Sequence, residues 1–340
     1  MRKDERIGLR HGAGGPAMRE LVRSVFARNA IARDDALGLA NLDDAAAVRV
    51  GERWLVYTTD SHVVNPAFFP GGDIGRLAVS GTVNDLAVMG ATEPLGLACA
   101  VVLEEGFAGA QLLTIQASIE AACAEAGTSI QTGDTKVMGR GEIDGVVITT
   151  TGFGFADRLV RDDGLRPGDD IVVTGTLGDH GFAVLARRND LRVEGDLRSD
   201  VAPLNRLLAA ALAAGGDAVV AMKDPTRGGV ASALHEMAEK SGVGIVLDEA
   251  SLPVRAPVRA LSELVGIDVL HVANEGKALL GVRPQETKRV LEALRAHPLG
   301  RDAQRIGACC EQRSGRVVLD TGFGRRLVAE SDGELLPRIC

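Results

Sequence analysis

Four acidic signals occupy the first half of the chain, each at the end of a predicted element: Asp43-Asp44 ahead of Ala45-Ala46-Ala47, Asp60 after the strand-like residues 55–59, Asp85 in Thr82-Val83-Asn84-Asp85, and Asp134 in Thr132-Gly133-Asp134-Thr135. An aspartate just past a strand stands where open α/β sheets hold their ligands. Carboxylates that converge repel one another unless a hard cation joins them, and Mg²⁺ takes oxygen ligands while bridging nucleotide phosphates. Aspartate also caps helices and forms turns, and for any one position alone that simpler reading is the better one. Taken as a set, Asp44, Asp60, Asp85 and Asp134 suit a metal–phosphate site about as well as they suit separate caps.

Phosphate chemistry also favours glycine, whose missing side chain lets backbone N–H groups approach an anion. Arg10-His11-Gly12-Ala13-Gly14-Gly15 precedes a helix predicted to begin near Met18, and Asp224-Pro225-Thr226-Arg227-Gly228-Gly229 precedes another. Neither has the GxxxxGK[ST] spacing of a P-loop, so each reads equally as a flexible lead-in or a cap. Lys136 is placed to neutralise phosphate charge beside Asp134, or is a solvated surface residue. Glu275, in Asn274-Glu275-Gly276-Lys277, follows a strand-like segment at 269–273, where a general base would sit. His180, in Leu177-Gly178-Asp179-His180-Gly181, either assists proton transfer or holds a turn. Of the five cysteines, Cys99 and Cys123 lie in apolar or alanine-rich stretches and read as core. Cys309 and Cys310 are adjacent, so on a strand they face opposite ways, and no cysteine–histidine spacing suits zinc. Cys340 is the last residue, either an accident of a frayed tail or a thiol on a mobile arm; it is not a prenylation signal.

These residues need elements to hold them. Residues 146–155 form a β-branched run that reads as a buried strand, followed by the charged turn 162–169 and a new strand at 171–174. The domain boundary is expected at that turn, giving an N-terminal domain at 1–160, a C-terminal domain at 161–329 and an exposed, mobile tail at 330–340. The first half has a strand at 54–59 and helices at 75–89 and 110–126. The second has helices at 204–214, 229–240 and 286–296, with strands at 245–247 and 278–282. The pattern is α/β (α+β) in two domains. A formal charge of −8 and a pI near 5.4 oppose general nucleic-acid binding. No apolar run reaches the ~18 residues of a membrane span, and the N-terminus, which carries charges of both signs, leads into no apolar h-region. A cytoplasmic enzyme is the expected class.

Together these segments resemble the HypE family of hydrogenase maturation factors, which make the cyanide ligands of nickel–iron hydrogenases. The matching stretches run from His11–Gly15 through Asp60-Ser61, Phe68-Phe69-Pro70-Gly71-Gly72, Asn84-Asp85, Gly133-Asp134-Thr135-Lys136-Val137, Thr174-Gly175-Thr176-Leu177-Gly178-Asp179-His180-Gly181, Thr226-Arg227-Gly228-Gly229 and Asn274-Glu275-Gly276-Lys277 to the terminal Pro337-Arg338-Ile339-Cys340. The acidic motifs are shared with aminoimidazole ribonucleotide synthetase, selenophosphate synthetase and thiamine monophosphate kinase; the Pro-Arg-Ile-Cys end is the specific part. The resemblance implies an aminoimidazole ribonucleotide synthetase-like fold, a homodimer formed through the N-terminal domains, and ATP with Mg²⁺ held by Asp44, Asp60, Asp85 and Asp134. It implies that His11, Gly12, Gly14, Gly15 and Asn84 help bind the nucleotide and that Lys136, Glu275 and Cys340 are catalytic. The implied reaction is ATP-dependent dehydration of an S-carbamoyl group on Cys340 to a thiocyanate. Its implied partners are the carbamoyltransferase HypF as donor and the HypC–HypD complex as cyanide acceptor. A thiamine monophosphate kinase-like phosphotransferase explains the aspartates but gives Cys340 no role, and a non-catalytic maturation scaffold would turn over no nucleotide.

Overall fold

A computed structural model describes residues 6–28, 33–330, 333 and 335–340. The first domain is built on β1 (Ala36–Leu37), β2 (Ala46–Val50), β3 (Arg53–His62), the short pair β4 (Phe68–Phe69) and β5 (Gly72–Asp73), β6 (Pro94–Glu104), β7 (Ile130–Met138) and β8 (Val146–Ala156). Its main sheet has the order β1-β2-β3-β8-β6-β7, antiparallel except for the parallel pair β6/β7. Short α1 (Pro16–Leu21) precedes the sheet; α2 (Ile74–Val88) lies across β3 and β8, and α3 (Gly109–Ala126) packs on α2. Asp73 starts α2 by accepting the Gly75 and Arg76 N–H groups at 2.7 and 3.2 Å, which satisfies donors that the helix cannot pair internally.

The helices cover one face of this sheet. On the other, Tyr57 and Phe153, register partners on β3 and β8, are 46% and 38% exposed. The edge strand β7 is exposed from Gln131 to Val137. Cys99, expected in the core, is only partly buried but packs against it on the helix-covered face of β6; Cys123 is buried in α3 as expected. The ladder of β3 with β8 continues to His62↔Ile148. Asp60 therefore lies inside a strand rather than past its end, and Asp134 likewise lies within β7.

The second domain holds β9 (Asp170–Val173), β10 (Val219–Lys223), β11 (Gly244–Asp248), β12 (Leu279–Val282), β13 (Gln304–Cys310), β14 (Val317–Asp320) and β15 (Arg325–Leu327) in the order β10-β12-β9-β13-β11-β14-β15. Central β9 and β12 are buried at every residue, which is why they read as unbroken apolar runs. The helices are α4 (Asp179–Arg188), α5 (Asn205–Gly215), α6 (Gly229–Ser241), α7 (Ala256–Val265) and α8 (Thr287–Ala296). His180 thus sits in the first turn of α4, where a loop was expected. The strand expected at 269–273 is absent: Asp268 accepts the Leu270 N–H at 3.0 Å and winds Val269–His271 into a 3₁₀ turn, leaving Glu275 in a loop.

Side chain–backbone bonds join the domains. Asn84 Nδ2 donates to the carbonyls of Ala202 and Glu275 at 3.2 and 3.3 Å, and its Oδ1 accepts from Leu204 N at 2.8 Å. Asn205 reaches back to the carbonyls of Thr92 and Ala126 at 3.0 and 2.9 Å. Most of the tail's described residues are covered rather than exposed as expected. Leu336 and Ile339 are buried, and Cys340, partly buried, packs against the core. The tail's contacts run through backbone oxygens, through two isolated apolar side chains and through Arg338, which donates to Val63 O at 3.0 Å and pairs with Asp144, and these leave no periodic pattern to read.

Candidate active site

A cleft of about 650 Å³ opens between β2, β3 and the start of α6, within the usual range for small-molecule sites. The loop before β2 brings in Asp43 and Asp44, β3 brings Thr58 and Asp60, and the last turn of α2 brings Asp85. From the other domain come Lys223 and Asp224 at the end of β10, Arg227 in the following turn, and Glu236 on α6. Gly14 closes one side. Its φ is +74°, and a Cβ there would stand 2.5 Å from the Arg227 carbonyl oxygen, so only glycine lets these two segments meet. Arg227 Nη1 donates to Gly12 O at 3.1 Å. His11 is buried in the 3₁₀ turn Leu9–Gly12, and Gly15 precedes α1. On the domain side, Arg19 joins Glu236 and Glu330 at 3.2 and 2.5 Å.

Acid dominates the floor. Thr58 Oγ1 donates to Asp85 Oδ2 at 2.8 Å. Lys223 forms a short ion pair with Asp44 and lies 3.6 Å from Asp162 and 3.4 Å from Glu236. Burial pulls the Lys223 ammonium down, but Asp44, Glu236 and Asp162 outweigh it and hold it well above its usual value. Burial raises the carboxyls of Asp85 and Asp224 well above theirs, reinforced by neighbouring aspartates. Asp44 is raised too, again by burial, against the pull of Lys223. Asp60 goes the other way, because His62, at 3.1 Å, and Arg227 overcome its burial. Burial lifts Asp43 to about 7, with help from the hydrogen bond and charge of Asp162.

Glu275 is buried, and burial together with the charges of Asp224, Asp60 and Asp200 raises its carboxyl well above the ordinary range. Its Oε1 and the Oδ2 of Asp224 are buried without a hydrogen-bond partner. Orphaned oxygens among mutually repelling acids are what a hard cation or an incoming donor relieves. Among the described residues no three acids or imidazoles are gathered closely enough to hold an ion as they stand, and Lys223 occupies Asp44. The residues fit a divalent cation in donor type and burial.

Of the expected site residues, the structure brings Gly14, Asp44, Asp60 and Asp85 to the cleft, with Glu275 near its acids. Asn84 does not line it and is engaged by backbone groups on all sides. Asp134 and Lys136 lie elsewhere, ion-paired at 2.6 Å on exposed β7. Two strands, β8 and β6, separate β7 from β3, a span of roughly 14 Å at the usual strand spacing. Asp224 and Lys223 were not recognised as site residues from sequence. The usable signal was Asp224's place just past a strand, the same rule that singled out Asp60.

Two helix-backed mixed sheets flanking an acid-lined cleft are the architecture of the AIR synthase related proteins. That family's N-terminal domain matches residues 42–156 and its C-terminal domain residues 166–320, and the chain belongs to this family. Within it the chain is a member of the HypE carbamoyl dehydratases, enzymes of hydrogenase maturation. It is 48% identical over 341 residues to the carbamoyl dehydratase HypE of Cupriavidus necator, covering 99% of this chain and 96% of that protein. It is similar to HypE in a crystal structure of the HypE–HypF complex, with TM-score 0.84 and 41% identity over 92% of this chain and 99% of that one. It is also similar to HypE crystallised in complex with ATP, with TM-score 0.81 and 40% identity over 98% and 99% of the two chains.

Proposed function

We propose that this chain dehydrates a carbamoyl group carried on its own Cys340, using Mg²⁺–ATP, and yields a thiocyanate as the source of a hydrogenase cyanide ligand. The observation that carries this reading is that the same two segments serve cleft and tail. β3 places Asp60 in the cleft, and Val63, three residues on, donates its N–H to a C-terminal carboxylate oxygen of Cys340 at 3.1 Å. That puts the end of the tail roughly 10 Å along the chain from the acids. The turn after Asp224 places Arg227 against both the cleft and the pocket that holds Leu336 and Ile339.

An amide oxygen is a poor leaving group. Phosphorylation of that oxygen by ATP makes it phosphate, after which the C–O bond breaks as the nitrogen loses its protons and the C≡N bond forms. Asp44, Asp60, Asp85 and Asp224 would hold magnesium, which screens the phosphate charge. Gly14 and Arg227 close over the nucleotide. Glu275, anchored by its peptide N–H to Asp200 Oδ1 at 3.1 Å, offers its unpartnered Oε1 to accept the amide N–H and serve as base. Asp134 and Lys136 act from the partner subunit of a homodimer, across the uncovered face of the first sheet. The tail leaves its seat to be carbamoylated by HypF and to deliver cyanide to the HypC–HypD complex, in the cytoplasm.

The test is to incubate the protein with the carbamoyltransferase, carbamoyl phosphate and ATP and weigh its C-terminal peptide. A gain of one carbamoyl group on Cys340, followed by loss of one water, is expected. An unmodified peptide beside a competent transferase would refute the carrier role, and a scaffold would consume no ATP.

A further inference from the structure

The tail is gripped chiefly by its backbone. Arg188, at the end of α4, donates from Nη1 to Pro337 O at 2.6 Å and from Nη2 to Arg338 O at 2.7 Å, while its Nε donates to Asn65 O at 2.7 Å. One guanidinium therefore ties together the second domain, the segment after β3 and the tail. The next carbonyl, of Ile339, accepts from His180 Nε2 at 2.7 Å. Since that oxygen can only accept, Nε2 carries the proton, and Nδ1 takes the Ser199 hydroxyl at 2.8 Å. A C-terminal carboxylate oxygen of Cys340 closes the series by accepting from Val63 N at 3.1 Å. The backbone oxygens of four consecutive residues, 337 to 340, are thus all bound, by Arg188, His180 and the peptide N–H groups of Asn65 and Val63.

We propose that Arg188 is a positioning residue for the reaction: it fixes the register in which the tail presents Cys340 to the cleft. The proposal rests on the reading of Cys340 as carrier. Arginine suits the task because its planar fork aims several donors at once, whereas a lysine offers a point charge. Net of the water that both partners give up, each of these bonds contributes modestly, so a seat made of several can hold the tail and still release it for loading.

The first test needs no activity. Full-length protein is treated with iodoacetamide and the C-terminal peptide is weighed over time. Arg188→Ala and Arg188→Lys should each raise the Cys340 alkylation rate about ten-fold, the effect expected for losing charged hydrogen bonds. The exposed neighbour Arg187, which pairs with Asp190 at 3.4 Å, provides the control Arg187→Ala, expected at the wild-type rate. An unchanged rate in Arg188→Ala protein of native thermal midpoint overturns the seat, whatever Cys340 does. The second test separates loading from dehydration. Arg188→Lys should accept carbamoyl at or above the wild-type rate yet form thiocyanate at least ten-fold more slowly, with KM for ATP unchanged. Equal slowing of both steps, or a raised KM for ATP, overturns the positioning role in favour of general damage. Failure of wild-type protein to accept carbamoyl at all, with alkylation still accelerated by Arg188→Ala, refutes the carrier reading and leaves the seat standing.

Discussion

Lys223 is a buried cation facing Asp44, Asp162 and Glu236, and removing it would strand those charges. Lys223→Met should cost about 3–5 kcal/mol in urea unfolding without metal, as breaking a buried ion pair does. Added Mg²⁺ should recover part of that loss, since a cation in the cleft replaces the missing charge. Asp224→Asn should do the opposite: it relieves repulsion around an orphaned oxygen, so the ligand-free protein should melt higher while thiocyanate formation falls at least a hundred-fold, the usual conflict between stability and function. A lower melting point with retained turnover would exclude Asp224 from the site. The thiols make a separate prediction. Burial pushes Cys309 up to about 12 and Cys123 up to about 11, so at pH 8 almost none of either is thiolate. Iodoacetamide at that pH should modify half-buried Cys340 well before these two, as peptide mapping would show. The site acids at the residue scale were legible in sequence wherever an aspartate adjoined a clear apolar run, as at Asp44. Lys223 was not, because a lysine ending an apolar strand looks like any strand boundary until the acids from three other segments arrive around it.

At the scale of elements, helices announced themselves and strands hid their partners. The helix expected at 75–89 is found as Ile74–Val88, because α2 is apolar almost throughout and opens with a capping aspartate. Removing that cap in Asp73→Ala should cost about 1 kcal/mol of stability, readable as a small fall in thermal midpoint. Strand pairing is non-local, and nothing near Asp134 tells that β7 is an edge with two strands between it and β3. The N-terminal glycine segment carries a sharper expectation. Gly14→Ala would drive a Cβ into the Arg227 carbonyl from a left-handed backbone and push α1 away from the cleft. KM for ATP should rise several-fold with folding intact, because only the closure of the site is lost. The docked tail was illegible for a different reason: bonds made by carbonyls carry no residue signature, so an unpatterned segment ending in cysteine reads as loose chain.

For the whole molecule, the sheet face bearing Tyr57 and Phe153 and the stranded pair Asp134–Lys136 point the same way. If Lys136 works in the partner's site, mixing Lys136→Ala with Glu275→Gln subunits gives hybrid dimers with one wholly intact site. Random pairing of two inactive variants should then restore about a quarter of wild-type thiocyanate formation, half the dimers having one working site of two. No recovery after verified subunit exchange would place Lys136 in its own chain's site or outside catalysis. The tail seat has a consequence of another kind. Backbone oxygens are common to every amino acid, so the seat does not inspect the last side chain it holds. Replacing the sulfur by oxygen, in Cys340→Ser, would leave every one of those anchoring bonds in place. The result would be a counterfeit cargo, carried to the correct address and unable to hand on its cyanide, and so a means of freezing the assembly line with its parts still engaged.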